Sequence, residues 1–124
     1  MVILTTQGKD LILQKIINKV EQQDLVLRLF TNNYDPEKSS SRWDFDEPIM
    51  NYSFRTMWGL FWELEEGKIK AVEEIFTFEG PAGKIRGWFI TEGDIVVWAE
   101  KFDKPFDVKR KGDKIKLNFR LGIK

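Results

Sequence analysis

The 124-residue sequence contains neither cysteine nor histidine. That excludes a disulfide framework, thiol nucleophiles, Ser-His-Asp triads and the usual zinc sites. No stretch approaches the roughly 20 apolar residues of a membrane-spanning helix. Residues Met1 to Asp10 lack the basic-then-apolar order of a signal peptide, so a soluble chain with no membrane partner is expected. Net charge is absent too, with 20 Lys+Arg against 20 Asp+Glu. This balance argues against a surface given over to nucleic acid or to a membrane. Phosphate-cradling loops are also missing. Gly80-Pro81-Ala82-Gly83-Lys84 lacks the Gly-Lys-Ser/Thr ending and a following helical pattern, and no cofactor is expected.

What the chain does have is charge in blocks and many aromatic rings. Residues 63–100 hold nine acids and four bases, whereas 101–124 hold nine bases and three acids. Such segregation suits either complementary patches that meet a neighbouring copy or two ordinary sheet edges. Five Trp, ten Phe and two Tyr point to an aromatic-rich core or an interface.

A helix is expected over about 6–22. Leu13, Ile16, Ile17 and Val20 repeat at i, i+3, i+4 and i+7, and Thr5, Thr6 or Asp10 can cap its start. From Leu25 the period switches to two, giving a strand to Phe30. Thr31 to Pro36 carries dense turn chemistry, and Glu37 to Arg42 reads as an exposed polar loop. Trp43 to Met50 is acidic and aromatic without a clean period. Tyr52 to Leu64 reads as strand, and Glu65 to Lys68 as a hairpin turn before a strand at Ile69 to Phe78. Gly80 to Gly83 makes a further turn. Lys84–Thr91 and Ile95–Phe102 flank the Glu92-Gly93-Asp94 turn, and Asp103-Lys104-Pro105 and Lys111-Gly112-Asp113 punctuate the end. In the last strand Ile115, Leu117, Phe119 and Leu121 alternate with Lys114, Lys116, Asn118 and Arg120. These short strands predict one mainly β domain over 1–124, an antiparallel sandwich or jelly-roll-like fold with one N-terminal amphipathic helix.

Carboxylates are the only plentiful reactive groups. Glu63 and Glu74 have the spacing to face each other across a hairpin, as a glycosidase pair does. Acids around a hairpin read first as solvated surface, however, and no catalytic residue is assigned. Asp44, Asp46 and Glu47, with Asp35 nearby, could offer oxygen ligands to Ca²⁺, but the glycine and distal glutamate of an EF-hand loop are absent. A polar loop tied to backbone amides is the simpler reading, and no metal site is assigned. Trp88 and Trp98 lie inside apolar strands and read as core. Trp43, Phe45, Trp58 and Trp62 are the candidate interface aromatics, and Trp58 and Trp62 with Phe61 could equally stack on sugar rings. Lys109, Arg110, Lys114, Lys116 and Arg120 form a basic stripe with no aromatic interleaving. It fits a charge-protected edge or an electrostatic docking surface better than a nucleic-acid reader.

Three separated blocks resemble a family of small structural proteins of tailed bacteriophages. They are Gly87–Phe102 (GWFITEGDIVVWAEKF), the Gly112-Asp113 turn with its alternating final strand, and Leu27–Pro36 (LRLFTNNYDP). Thr5-Thr6-Gln7-Gly8-Lys9 at the helix start fits as well. The resemblance covers 3–36 and 72–123, while Arg42–Trp62 departs, being acidic and aromatic where that family tends to small and polar residues. It implies a virion component with no catalytic residues: a capsid decoration (cement) protein that binds the capsid surface, or a tail-associated protein. Synthesis is in the bacterial host cytoplasm, the final location is the virion, and a homo-oligomer is expected. The competing expectation is a carbohydrate-binding module, within a tail fibre, that takes a glycan.

Overall fold

The computed structural model describes residues 2–18, 25–57 and 69–122. In chain order its elements are β1 (Ile3–Leu4), α1 (Thr6–Asn18), β2 (Leu25–Phe30), a one-turn 3-10 helix (Arg42–Asp44), β3 (Arg55–Met57), β4 (Lys70–Thr77), β5 (Gly83–Glu92), β6 (Ile95–Val108) and β7 (Lys114–Leu121). The chain is mainly β, as its period-two pattern predicts. One sheet has the order β1-β6-β5-β2-β3 and the other pairs β4 with β7, with every pairing antiparallel.

The main core lies between the sheets. Leu25, Leu27 and Leu29 of β2, Trp88 and Ile90 of β5 and Trp98 of β6 are buried in one cluster with Val72 and Phe76 of β4 and Ile115, Leu117, Phe119 and Leu121 of β7. Trp88 stacks on Phe119 with ring centroids 3.9 Å apart. Each of these side chains contributes about 1.5–3 kcal/mol by leaving water. The indole N–H groups do not go unpaired: Trp88 Nε1 donates to Glu100 Oε1 at 3.2 Å, and Trp98 Nε1 to the Gly122 carbonyl at 3.0 Å. Both tryptophans are core residues, as expected.

The helix docks on β6 through its first turns. Thr5 caps it, accepting the Gly8 amide at 2.9 Å on Oγ1 and donating from that hydroxyl to the Val96 carbonyl. Over residues 5–14, Thr5, Gly8 and Ile12 are buried and Leu13 is half-buried. A Cβ added to Gly8 would stand 2.5 Å from Val97 Cα, so the helix lies on the sheet where it has no side chain. An apolar-residue count cannot see that contact. Of the expected stripe, the side chains of Ile16 and Ile17 and the whole of Val20 lie outside what is described, as does the helix expected beyond Asn18.

Two turns fall where expected. Gly93 (φ +56°) closes the β5–β6 hairpin, and Gly112 (φ +91°) sits in the turn before β7. Asp103-Lys104-Pro105 does not end its strand, however, and β6 runs on to Val108. The ladder passes from Phe106 opposite Ile85 to Lys101 opposite Gly87, so Phe102–Pro105 bulge outward within the strand and Pro105 owes no ladder hydrogen bond. The strand expected over 52–64 is described only as β3, and the 65–68 turn lies outside the described residues.

Candidate functional site

The five-stranded sheet has a second face. Phe30 of β2, Phe89 of β5, and Val96 and Ala99 of β6 pack there in a cluster separate from the main core; the ladder's register shift at Val97 lets Val96 and Ala99, three residues apart, share this face. The connection from Thr31 to Phe54 folds over them. Phe45 stacks on Phe89 at 4.5 Å and meets Phe30 and Tyr34 edge-on at 5.0 and 5.2 Å. Phe45 is therefore buried, at 4% exposure. The expectation that it is an interface residue is corrected: it is the plug that pins the loop.

Polar bonds fix the loop around this plug. The Thr31 amide donates to the Asp46 carbonyl at 2.8 Å, the Asp46 amide to Asn32 Oδ1 at 2.9 Å, and Asn32 Nδ2 to the Asp44 carbonyl at 2.8 Å. Asp44 Oδ2 accepts the Ser41 amide at 2.8 Å and closes the 3-10 turn. Glu47 is the hub. Its carboxylate takes Arg42 Nη2 at 2.6 Å, Arg28 Nη1 at 3.3 Å and the Tyr52 hydroxyl at 2.9 Å. The three charged side chains are only 18–20% exposed. Tyr52 also accepts the Leu29 amide at 3.0 Å, supplying the bond that β3, paired with β2 only at Leu25–Leu27, does not give. Burial raises the Tyr52 phenol far above its ordinary value.

Held this way, the loop presents apolar groups to water. Trp43 is 78% exposed and Ile49 93%, with Met50 and Phe54 at least half exposed. Trp43 and Ile49 flank an open groove of about 630 Å³ that also reaches Arg42, Asp46, Glu47 and Lys84. Trp43 thus stands at the surface, where the sequence places it. Trp58 and Trp62 lie outside the described residues, as does Glu63, so the Glu63–Glu74 pairing and any sugar platform on those rings are not described.

Lys109, Arg110, Lys114, Lys116 and Arg120 are all exposed, but on a different part of the molecule. Lys114, Lys116 and Arg120 point outward from β7 while Ile115, Leu117, Phe119 and Leu121 point into the core. The structure therefore does not gather the described candidate residues into one site. The aromatic loop covers the far face of the large sheet, and the basic stripe lies on the small one. The charge blocks of the sequence are interleaved as well, because acid-bearing β4 pairs with β7 and β5 with β6.

Of the possible calcium ligands, Asp44 caps its turn, Glu47 binds two guanidinium groups, and Asp35 pairs with Lys101 at 3.0 Å. Among the described residues no group of three Asp or Glu side chains stands close enough to hold a metal ion. Sequence reading missed Arg28, Tyr52, Ile49, Met50 and Phe54. A signal was there: Arg28 is the one charge in an otherwise apolar strand, and Ile49-Met50 follows Pro48 where no period explains them. Comparisons with protein-family models, curated proteins and solved structures find no match to this chain.

Proposed function

We propose that the chain is a non-enzymatic structural protein of a bacteriophage virion, a decoration or cement protein that docks on the capsid surface through protein–protein contacts and works in many copies. The observation that carries this reading is the Trp43 loop. Trp43, Ile49, Met50 and Phe54 are exposed on a segment made rigid by the Phe45 plug and the Glu47 hub. A large aromatic, aliphatic neighbours and a fixed Arg42 are the composition of an interface centre. Such preorganisation lowers the entropy lost on binding. The sequence blocks that resemble phage structural proteins support the same reading, and so does a chain with no cysteine or histidine to do chemistry.

The test is binding to capsid shells of the phage that encodes the chain. Trp43→Ala, which removes an exposed side chain, should keep the fold and weaken shell binding by about tenfold or more. Unchanged binding in Trp43→Ala, or no binding by the wild type, overturns the proposal. A second reading has its own observation: the exposed Trp43 indole stands beside hydrogen-bonding Asp46 and Lys84, an arrangement that also suits a sugar ring. Under that reading, a tail-fibre carbohydrate-binding module, a glycan array shows selectivity that Trp43→Ala abolishes. A decoration protein shows none.

A further inference from the structure

We propose that the outer face of the β4–β7 sheet is a second docking surface, independent of the Trp43 loop, and that its partner is an acidic protein surface. On β7 the outward row is Lys114, Lys116, Asn118 and Arg120, and the register sets it beside Thr77, Ile75, Glu73 and Ala71 of β4. Side chains two apart on a strand stand about 7 Å from one another, so the row holds its cations in line over roughly 20 Å. The preceding turn adds exposed Lys109, Arg110 and Lys111.

These charges are not spent within the fold. Lys109 reaches Asp107 at 3.7 Å, but among the described residues Arg110, Lys111, Lys114, Lys116 and Arg120 have no ion-pair partner. The acid of the turn, Asp113, is committed to the backbone. Its Oδ2 accepts the Lys109 and Arg110 amides at 2.9 and 3.1 Å. Those two bonds, with the neighbouring cations, hold its carboxyl below its ordinary value. Glu73 is the single acid on the described part of the outer face, set against Lys114, Lys116 and Arg120. Like charges held this close repel, and an anionic partner removes that cost.

Two features favour protein over nucleic acid as the polyanion. The described part of the face carries no aromatic ring to stack on bases, and half-exposed Ile75 lies directly opposite Lys116, an aliphatic contact set among the cations. A two-stranded face with an exposed aliphatic residue beside a cationic row matches an acidic, partly apolar protein surface.

The experiment uses poly-L-glutamate as the acidic polypeptide and a DNA duplex as the competing polyanion, each titrated against the full chain by calorimetry at low and moderate salt. The expected result is that poly-L-glutamate binds more tightly than duplex at matched charge concentration. In the Lys114→Gln/Lys116→Gln/Arg120→Gln variant its affinity should fall about tenfold or more and lose most of its salt dependence. The substituted side chains are exposed, so an unchanged unfolding midpoint shows that the fold persists; Lys116→Gln alone, with a smaller loss, serves if the triple variant does not fold. Three results overturn the proposal: tighter binding of the duplex, unchanged affinity in the variants, or no binding of either polymer. The last is the behaviour of a stripe that only keeps β7 from pairing with another strand. Because no capsid enters this experiment, its failure leaves the virion reading standing, and the reverse also holds.

Discussion

Replacing Glu47 by Gln tests whether the Trp43 loop is held by electrostatics as described. Glu47 accepts from two guanidinium groups and a phenol, and the three charged side chains, Glu47, Arg28 and Arg42, are about four-fifths buried. Losing one member of a buried ion pair costs about 3–5 kcal/mol, because the other charge is left uncompensated. Two features reduce that cost. The cluster keeps some contact with water, and the amide oxygen of Gln can still accept from Arg42 or Tyr52. We expect a loss of about 2–3 kcal/mol, read as a fall of roughly 8–12 °C in the unfolding midpoint for a chain of this size. Chemical denaturation followed by tryptophan fluorescence gives the free energy. Hydrogen exchange at the Thr31 and Asp46 amides, which take their acceptors from this loop, should accelerate in the same variant. The combined Arg28→Met/Arg42→Met/Glu47→Leu variant should recover most of the stability, since no charge is then orphaned. A Glu47→Gln loss below about 0.5 kcal/mol, the size of an ordinary surface effect, would refute the reasoning.

Gly8→Ala should destabilise by at least about 2 kcal/mol in chemical denaturation, because the new Cβ would meet Val97 Cα at 2.5 Å and the Val96 carbonyl at 2.9 Å, which are backbone atoms that cannot swing aside. Tyr52→Phe should cost about 1–2 kcal/mol by leaving the Leu29 amide without its acceptor. Burial holds the Tyr52 phenol well above its ordinary value, so the folded state favours the neutral form; that contribution is whole below about pH 10 and is lost as pH climbs beyond it, and phenolate absorbance from Tyr52 should rise only together with unfolding. Asp113, lowered by its two backbone bonds, has the opposite sign: its contribution is present above the ordinary carboxylate range and is lost as pH falls through its folded value, and Asp113→Ala should speed exchange of the Lys109 and Arg110 amides.

Strands were most legible where a solvent side forces alternation. β7 is the clearest case, buried at every second residue from Ile115 to Leu121. The Gly93 and Gly112 turns were legible for a local reason, since a left-handed backbone admits glycine most readily. The close approach of the helix start to the sheet was not, because it is made at Gly8, a residue without a side chain for hydrophobic periodicity to register. The β6 bulge was hidden for a related reason: Asp103-Lys104-Pro105 spells a turn, and only the partner strand shows that pairing resumes at Phe106. At the site, exposed Trp43 was readable from its polar neighbours. Phe45, two residues on, carries the same local signals but fills the hollow over Phe89, a contact fixed by β5 far along the chain. The Arg28–Glu47–Arg42 hub joins residues that only the folded loop brings together.

Under the proposed function, this aromatic loop seats the protein on a capsid. Cryo-electron microscopy of capsid shells incubated with the purified chain tests it most directly. The account predicts repeated density on the shell surface, with the Trp43–Ile49 edge at the contact. Bare shells beside a chain that stays in solution, or density that meets the shell only through other surfaces of the protein, would contradict it.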